Sequence, residues 1–424
     1  MKRILAGLAL IALSAAPALA AARLTYEMEK GPTAIAWPTA SFPVSYAIDR
    51  SVLKTFGASA QQDVENAFTD WTKVADSRIS FRFQGVVDNV PAGTDGRNVV
   101  TLADNMFGPN SFLARTTYSW DSAGNLYESD IQIDASTVGK YNLEQLVEHE
   151  VGHFLGLDHS AVASAVMFPF VPENGTPGMD SDDRLAISSV YPAMEPSLMG
   201  GILRGTVTND RGGVFAAQVV AIDGNGQPVA TGLTSADGTF ELKGLPTGSY
   251  RVYAEPLDGP VSPSNLAGIY AGATNCSFRT QFFSSPVQVT TGRMTDSGSL
   301  HLNGMAASLN PRFIGAINPQ TYDTSLGSMA MSVRPGETVS IAVAGDGFTS
   351  GMTTFEVMNP AFKRTSDFRY AANFVFATFT VSPNAAPGSA VVMVNSGSDA
   401  ATLTGGLRIE AASAPGKRRG ARPS

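Results

Sequence analysis

Residues 149–159 read His149-Glu150-Val151-Gly152-His153-Phe154-Leu155-Gly156-Leu157-Asp158-His159, and this stretch holds three of the four histidines in the chain. The spacing constrains what can form around it. Positions i and i+4 of a helix lie on one face, so His149 and His153 can reach one metal ion. Glu150 then stands beside the metal and not on it, placed to take a proton from a metal-bound water. Gly156 allows a sharp turn, because glycine tolerates positive φ. The chain can then leave the helix and return His159 as a third ligand. Three protein ligands and one open position are the pattern of a catalytic zinc site, whereas structural sites are closed by four.

Six residues after His159 begins Ala165-Val166-Met167-Phe168-Pro169, with Met167 eight residues after that histidine. With this stretch the chain resembles the metzincin zinc peptidases, whose metal helix is followed by a methionine-containing turn. Within that group it is most similar to the matrixins. The resemblance rests on Gly152 after the glutamate, Ser160 directly after the third histidine, the M-x-P form of the turn, and Asp182-Asp183-Arg184-Leu185-Ala186-Ile187-Ser188-Ser189-Val190-Tyr191 as a last helix. It covers roughly residues 37–193. It implies an α/β (α+β) catalytic domain with a mostly five-stranded sheet and three helices. It also implies one catalytic Zn2+ on His149, His153 and His159, Glu150 as general base, and Met167 as an apolar floor beneath the metal. By the same resemblance Phe112 to Thr116 would be the edge strand lining the cleft, where a peptide can add as a further strand. Leu113, Ala114, Phe168 and Pro169 are then candidate substrate contacts.

Two features depart from that pattern. Residues 103–111 contain no histidine, which argues against a second zinc, and no cysteine precedes the metal helix to silence it. The single cysteine, Cys276, excludes an intrachain disulfide. Asp121, Asp130 and Asp134 are candidate Ca2+ ligands, against the ordinary reading of solvated loop carboxylates.

The local pattern fits this reading. Residues 43–49 alternate as a strand, as do Ile79, Phe81 and Phe83. Residues 97–102, 112–120 and 128–134 read as three more strands. Ser59 with Gln62 forms a capping box ahead of Val64, Ala67, Phe68, Trp71 and Val74 at helical spacing. Asn142, with Gln145 three residues on, caps the metal helix.

The N-terminus reads as a secretory leader: Lys2-Arg3, an apolar run from Ile4 to Ala16, and Ala18-Leu19-Ala20 before the expected cleavage. The expectation is a protein exported to the periplasm or the extracellular space, with no membrane span. A net charge of −8 gives no electrostatic footprint for nucleic acid.

At 424 residues several domains are expected. The division read from composition is a leader over 1–20, the peptidase-like domain over 21–196, and two all-β sandwiches over 197–304 and 305–411. A basic disordered tail follows over 412–424. The run Asp237-Gly238-Thr239-Phe240 through Leu245-Pro246-Thr247-Gly248-Ser249-Tyr250 resembles carboxypeptidase-regulatory-like or transthyretin-like modules. Gly345-Asp346-Gly347-Phe348 and residues 387–395 resemble immunoglobulin-like IPT/TIG modules. The expected partner is a protein or peptide substrate, with a cell surface or polymer as a further target of the sandwiches. The rival reading is an adhesion or binding protein whose peptidase domain is vestigial.

Overall fold

A computed structural model describes residues 23–411, apart from 104–111, 174, 176–177, 196–198, 275–276, 304–306 and 372. The leader, Cys276, the basic tail and nearly all of the histidine-free loop lie outside the described residues. Among the described residues no helix is long and apolar enough to cross a membrane.

The first unit opens with a hairpin, β1 (Thr25–Met28) and β2 (Gly31–Ala34). A mixed five-stranded sheet follows, built from β3 (Val44–Asp49), β4 (Phe81–Val87), β5 (Val99–Leu102), β6 (Ala114–Trp120) and β7 (Leu126–Ile133). Its order is β4-β3-β5-β7-β6, and β6 alone is antiparallel to its neighbour, on the edge. Among the described residues four α-helices accompany it: α1 (Arg50–Phe56), α2 (Ala60–Thr72), α3 (Leu143–Phe154) and α4 (Ser181–Val190). Three were expected. The extra one, α1, is a two-turn helix whose start is fixed by the Asp49 carboxylate accepting from Ser51 N–H, a cap too short-range for apolar periodicity to reveal. Ser59 makes no side-chain cap bond, because its own backbone is already helical and its oxygen cannot reach the first N–H groups. Asn142 does cap α3, accepting from Glu144 and Gln145 N–H.

The core of this unit lies between the sheet and helices α2 and α3. Val64, Phe68 and Trp71 of α2 meet Val147, Val151 and Phe154 of α3, all at most 1% exposed. Phe68 stacks on Tyr46 at 3.8 Å and meets Phe154 edge-on at 5.6 Å. The indole N–H of Trp71 donates to the Glu148 carbonyl, which fixes α2 against the metal helix.

Two further cores lie C-terminal to this one. The first centres on Leu203, Val219, Phe240 and Val252, the second on Ile341, Val375, Val392 and Leu407. Each sits between two β-sheets. In the first, Gln218–Ile222, Pro228–Leu233 and Gly248–Glu255 face Gly201–Asn209, Thr239–Leu245 and Met294–His301. In the second, Asn310–Ile317, Thr338–Asp346 and Phe374–Val381 face Thr354–Val357, Gly388–Ser396 and Asp399–Ile409.

The three units are in close contact. Asp182 of α4, 1% exposed, accepts from both the N–H and the hydroxyl of Thr231 in the second unit. Ala163, in the loop after the metal helix, donates to Thr404 and accepts from Ala330, both in the third.

Candidate metal centre

Helix α3 carries His149 and His153 one turn apart, with ring centroids 4.9 Å from each other. The helix ends at Leu155, and Gly156 turns the chain at φ +88°; a Cβ there would lie 2.5 Å from the Ile35 carbonyl oxygen. The last turn of the helix is satisfied from outside. Trp37 Nε1–H donates to the Phe154 carbonyl at 2.8 Å, and the Tyr191 hydroxyl to that of Leu155 at 2.7 Å. The turn is thereby held, and His159 returns to the other two rings, 4.7 Å from His153 and 5.2 Å from His149.

Every Nδ1 is engaged by a backbone carbonyl: His149 with Val166 at 2.7 Å, His153 with Leu157 at 2.8 Å, and His159 with Asn265. A neutral imidazole that donates from Nδ1 keeps its lone pair on Nε2. Nε2 of His153 and Nε2 of His159 lie 3.2 Å apart, close to the roughly 3.3 Å that two nitrogens on one tetrahedral zinc require. The three ligand atoms all fall within 4.8 Å of one another, and among the described residues no other histidine, cysteine or carboxylate group of three does so. Burial pushes the His149 imidazole down to about 3 and holds those of His153 and His159 below the usual histidine range. All three are therefore neutral at pH 7, as metal ligands must be. The donor set, the tautomers and the spacing fit a zinc ion.

Glu150, 4% exposed, lies on the side of α3 that faces β6. The Thr116 hydroxyl donates to its Oε2 at 2.6 Å. Burial raises the carboxyl to about 7, and the Thr116 bond opposes that rise. Met167 is 2% exposed and packs on Gly152 of α3. The methionine turn is held by Asp183, whose carboxylate accepts from Val166 N–H at 2.8 Å and Met167 N–H at 3.1 Å. Ser160 N–H closes the loop onto the Met167 carbonyl at 2.8 Å.

A cavity of about 220 Å³ opens beside His149. Val166, Phe170 and Val171 form one wall, and Met329, Ala330 and Arg408 of the third unit form another. Phe168 is not part of it: the ring is 2% exposed and packs with Ala163 and Val261. Phe170, two residues on and 42% exposed, lines the cavity instead. Pro169 is half-buried, Leu113 is partly buried against the core, and Ala114 begins β6 at 8% exposure.

The candidate calcium carboxylates each accept from backbone N–H groups. Asp130 accepts from Gly93 and Val99 N–H, Asp121 from Ala123 and Asn125 N–H, and Asp134 from Ser136 N–H. Three functional positions escape a reading of the sequence. Thr116 gives no signal beyond being a polar residue in an edge strand. Asp183 stands in the quoted helix without a legible role. Asn265 lies 106 residues from the histidine it holds.

The motif His149-Glu150-Val151-Gly152-His153, followed by a turn that carries Met167, defines this centre. Residues 36–192 match the family model described as matrixin, and the chain carries a matrixin domain there. Over 167 residues it is 28% identical to interstitial collagenase of Bos taurus, covering 36% of this chain and 33% of that protein. Over 89 residues it is 33% identical to karilysin of Tannerella forsythia, covering 20% of this chain and 18% of that protein. The chain thus spans no more than about a third of the length of these relatives. Among solved structures, that of fervidolysin from Fervidobacterium pennivorans overlaps 52% of this chain and 32% of its own at 15% identity. The TM-score of 0.18 is too low to establish a shared fold.

Proposed function

We propose that the protein is an exported zinc-dependent endopeptidase, with His149, His153 and His159 holding the metal and Glu150 acting as general base. The observation that carries this reading is the convergence of three neutral imidazoles, each locked by a carbonyl on Nδ1, beside a buried carboxylate raised to about 7. Zinc, when bound, would polarise the scissile carbonyl and acidify a water. The chain's own residues do the rest. Glu150 accepts the water proton at its free carboxylate oxygen and returns it to the departing amine. Thr116 holds the other carboxylate oxygen, so that only one is free to move the proton. The exposed edge of β6 offers main-chain groups to an extended peptide, and the cavity beside His149 receives one side chain next to the bond that breaks. Phe170 and Val171 favour an apolar side chain there.

The test is Glu150→Gln. This variant should keep one tightly bound zinc per chain, while hydrolysis of a casein or peptide substrate falls by at least about a hundredfold, as for the loss of a general base. Loss of zinc in the variant, or undiminished hydrolysis, would refute the assigned role.

A further inference from the structure

Two of the three histidines are oriented from within the first unit, through the carbonyls of Val166 and Leu157. The third is not. His159 Nδ1–H donates to the carbonyl of Asn265, in the 3-10 turn Pro263–Asn265 of the second unit. A second tie lies one residue away. Asp158 is 2% exposed; its Oδ1 accepts from His159 N–H at 2.8 Å and its Oδ2 from Ala267 N–H at 2.9 Å. One carboxylate thus clamps the metal-ligand backbone to the second unit.

The segment that makes these bonds is itself held. The Asn265 side-chain oxygen accepts from Ser262 N–H at 2.9 Å, and Leu266 N–H donates to Pro263 at 3.1 Å. Leu266 and Tyr270 are each 7% exposed, and Tyr270 stacks on Phe215 at 5.3 Å. Gly268, at φ +57°, lies so close to β1 that a Cβ would come within 1.8 Å of the Thr25 carbonyl oxygen. The residue just before β1 in turn joins the turn after α3, since Leu24 N–H donates to the Gly156 carbonyl at 3.1 Å. The loop is therefore fixed on both sides of His159.

We propose that the β-sandwich of the second unit is part of the metal centre: its 262–270 loop orients His159, and Asn265 and Asp158 are positioning residues that set zinc affinity. The sandwich is then more than a spacer or a targeting module. The inference rests on the reading of the three histidines as a zinc site. Partners that fix a metal-bound imidazole from behind typically change affinity by about ten- to a hundredfold when removed.

The experiment uses the full chain and measures zinc affinity by competition with a chromophoric chelator, with the visible spectrum of the cobalt-substituted protein as a second readout. Asn265→Ala frees the turn from its internal bond. Asp158→Asn sets an amide donor against one of the two N–H groups. Gly268→Ala pushes the loop off β1. Gln227→Ala, which removes only the 2.7 Å bond to Ser181 elsewhere on the same interface, is the control. The three loop variants should bind zinc about tenfold or more weakly, with altered cobalt bands, while the control matches the parent. If Gly268→Ala does not fold, the other two decide. Tight zinc in the parent with unchanged affinity and spectra in Asn265→Ala and Asp158→Asn would overturn this inference alone. A parent without tight zinc would overturn the peptidase reading and this inference with it.

Discussion

Gly152 sits in α3 between His149 and His153, where a helix would ordinarily be better served by alanine. Alanine in a helix interior is favoured over glycine by about 1 kcal/mol. The structure reverses the sign. A Cβ on Gly152 would come 2.0 Å from Met167 Sδ, 3.0 Å from its Cε and 3.1 Å from Trp71 Cζ2. Met167 is 2% exposed and Trp71 is fully buried, its indole N–H tied to Glu148, so neither can yield freely. Overpacking of this kind costs about 1–3 kcal/mol. Gly152→Ala should therefore destabilise the first unit by about 1 kcal/mol net, since the clash outweighs the propensity gain. Met167→Ala alone should cost about 2–5 kcal/mol for the cavity it leaves.

The informative quantity is the double variant. With Met167 truncated, the Cβ has room, the propensity term is left nearly alone, and Gly152→Ala should become neutral or stabilising by up to about 1 kcal/mol. Urea midpoints of the four proteins, recorded with excess chelator so that metal affinity does not enter, give the cycle directly. An equal loss in both backgrounds would refute the contact with Met167 as the cause. A gain in the parent background would refute the packing argument altogether.

Removing the hydroxyl in Thr116→Val should leave zinc bound but slow peptide hydrolysis by about tenfold, the value of a hydrogen bond to a charged group, and Thr116→Ser should restore it; equal kinetics in all three would show that Glu150 needs no orientation. Burial raises the Glu255 carboxyl to about 7, so the folded state holds its proton more tightly than the unfolded chain does. That contribution is full below the ordinary glutamate range and is lost as pH rises through about 7, a cost on the order of 3 kcal/mol. Glu255→Gln should accordingly raise the unfolding midpoint at pH 8 and leave it nearly unchanged at pH 4; a gap independent of pH would refute the assignment.

The convergence of the three histidines was legible because the geometry is local. Three histidines within eleven residues, a helix period and one glycine suffice to bring three imidazoles together, and Asn142 marks where that helix starts. The strands of the sheet were legible from alternation. What escaped was whatever depends on pairs distant in sequence. Thr116 meets Glu150 across 34 residues and Asn265 meets His159 across 106, and no periodicity encodes either. Phe168 and Phe170 carry the same apolar signal, yet one faces Val261 of the second unit and the other the cavity beside His149. Only the packing of the appended unit decides between them.

The same packing bears on why the chain carries three acidic residues in four at the start of α4. A helix N-terminus favours carboxylates, and a solvated cluster would need no other account. Here the three are buried and divided among the units. Asp183 holds Val166 and Met167 of the methionine turn. Asp182 joins Ser160 to Thr231 of the second unit. Asp180 takes Ser164 of the metal loop and Ser389 of the third unit. Burial raises Asp182 to about 6 and Asp183 to about 7, so each bond offsets a real desolvation cost. A chain ending near residue 196 would keep the bonds to Val166, Ser160 and Ser164 but lose those to Thr231 and Ser389. It would also uncover the metal loop where Ala163 bonds to Thr404 and Ala330. Composition places a boundary there, because each unit has its own apolar core. The polar contacts cross that boundary and converge on the loop between His159 and Met167, so the separateness of the cores does not make the metal centre the property of one unit.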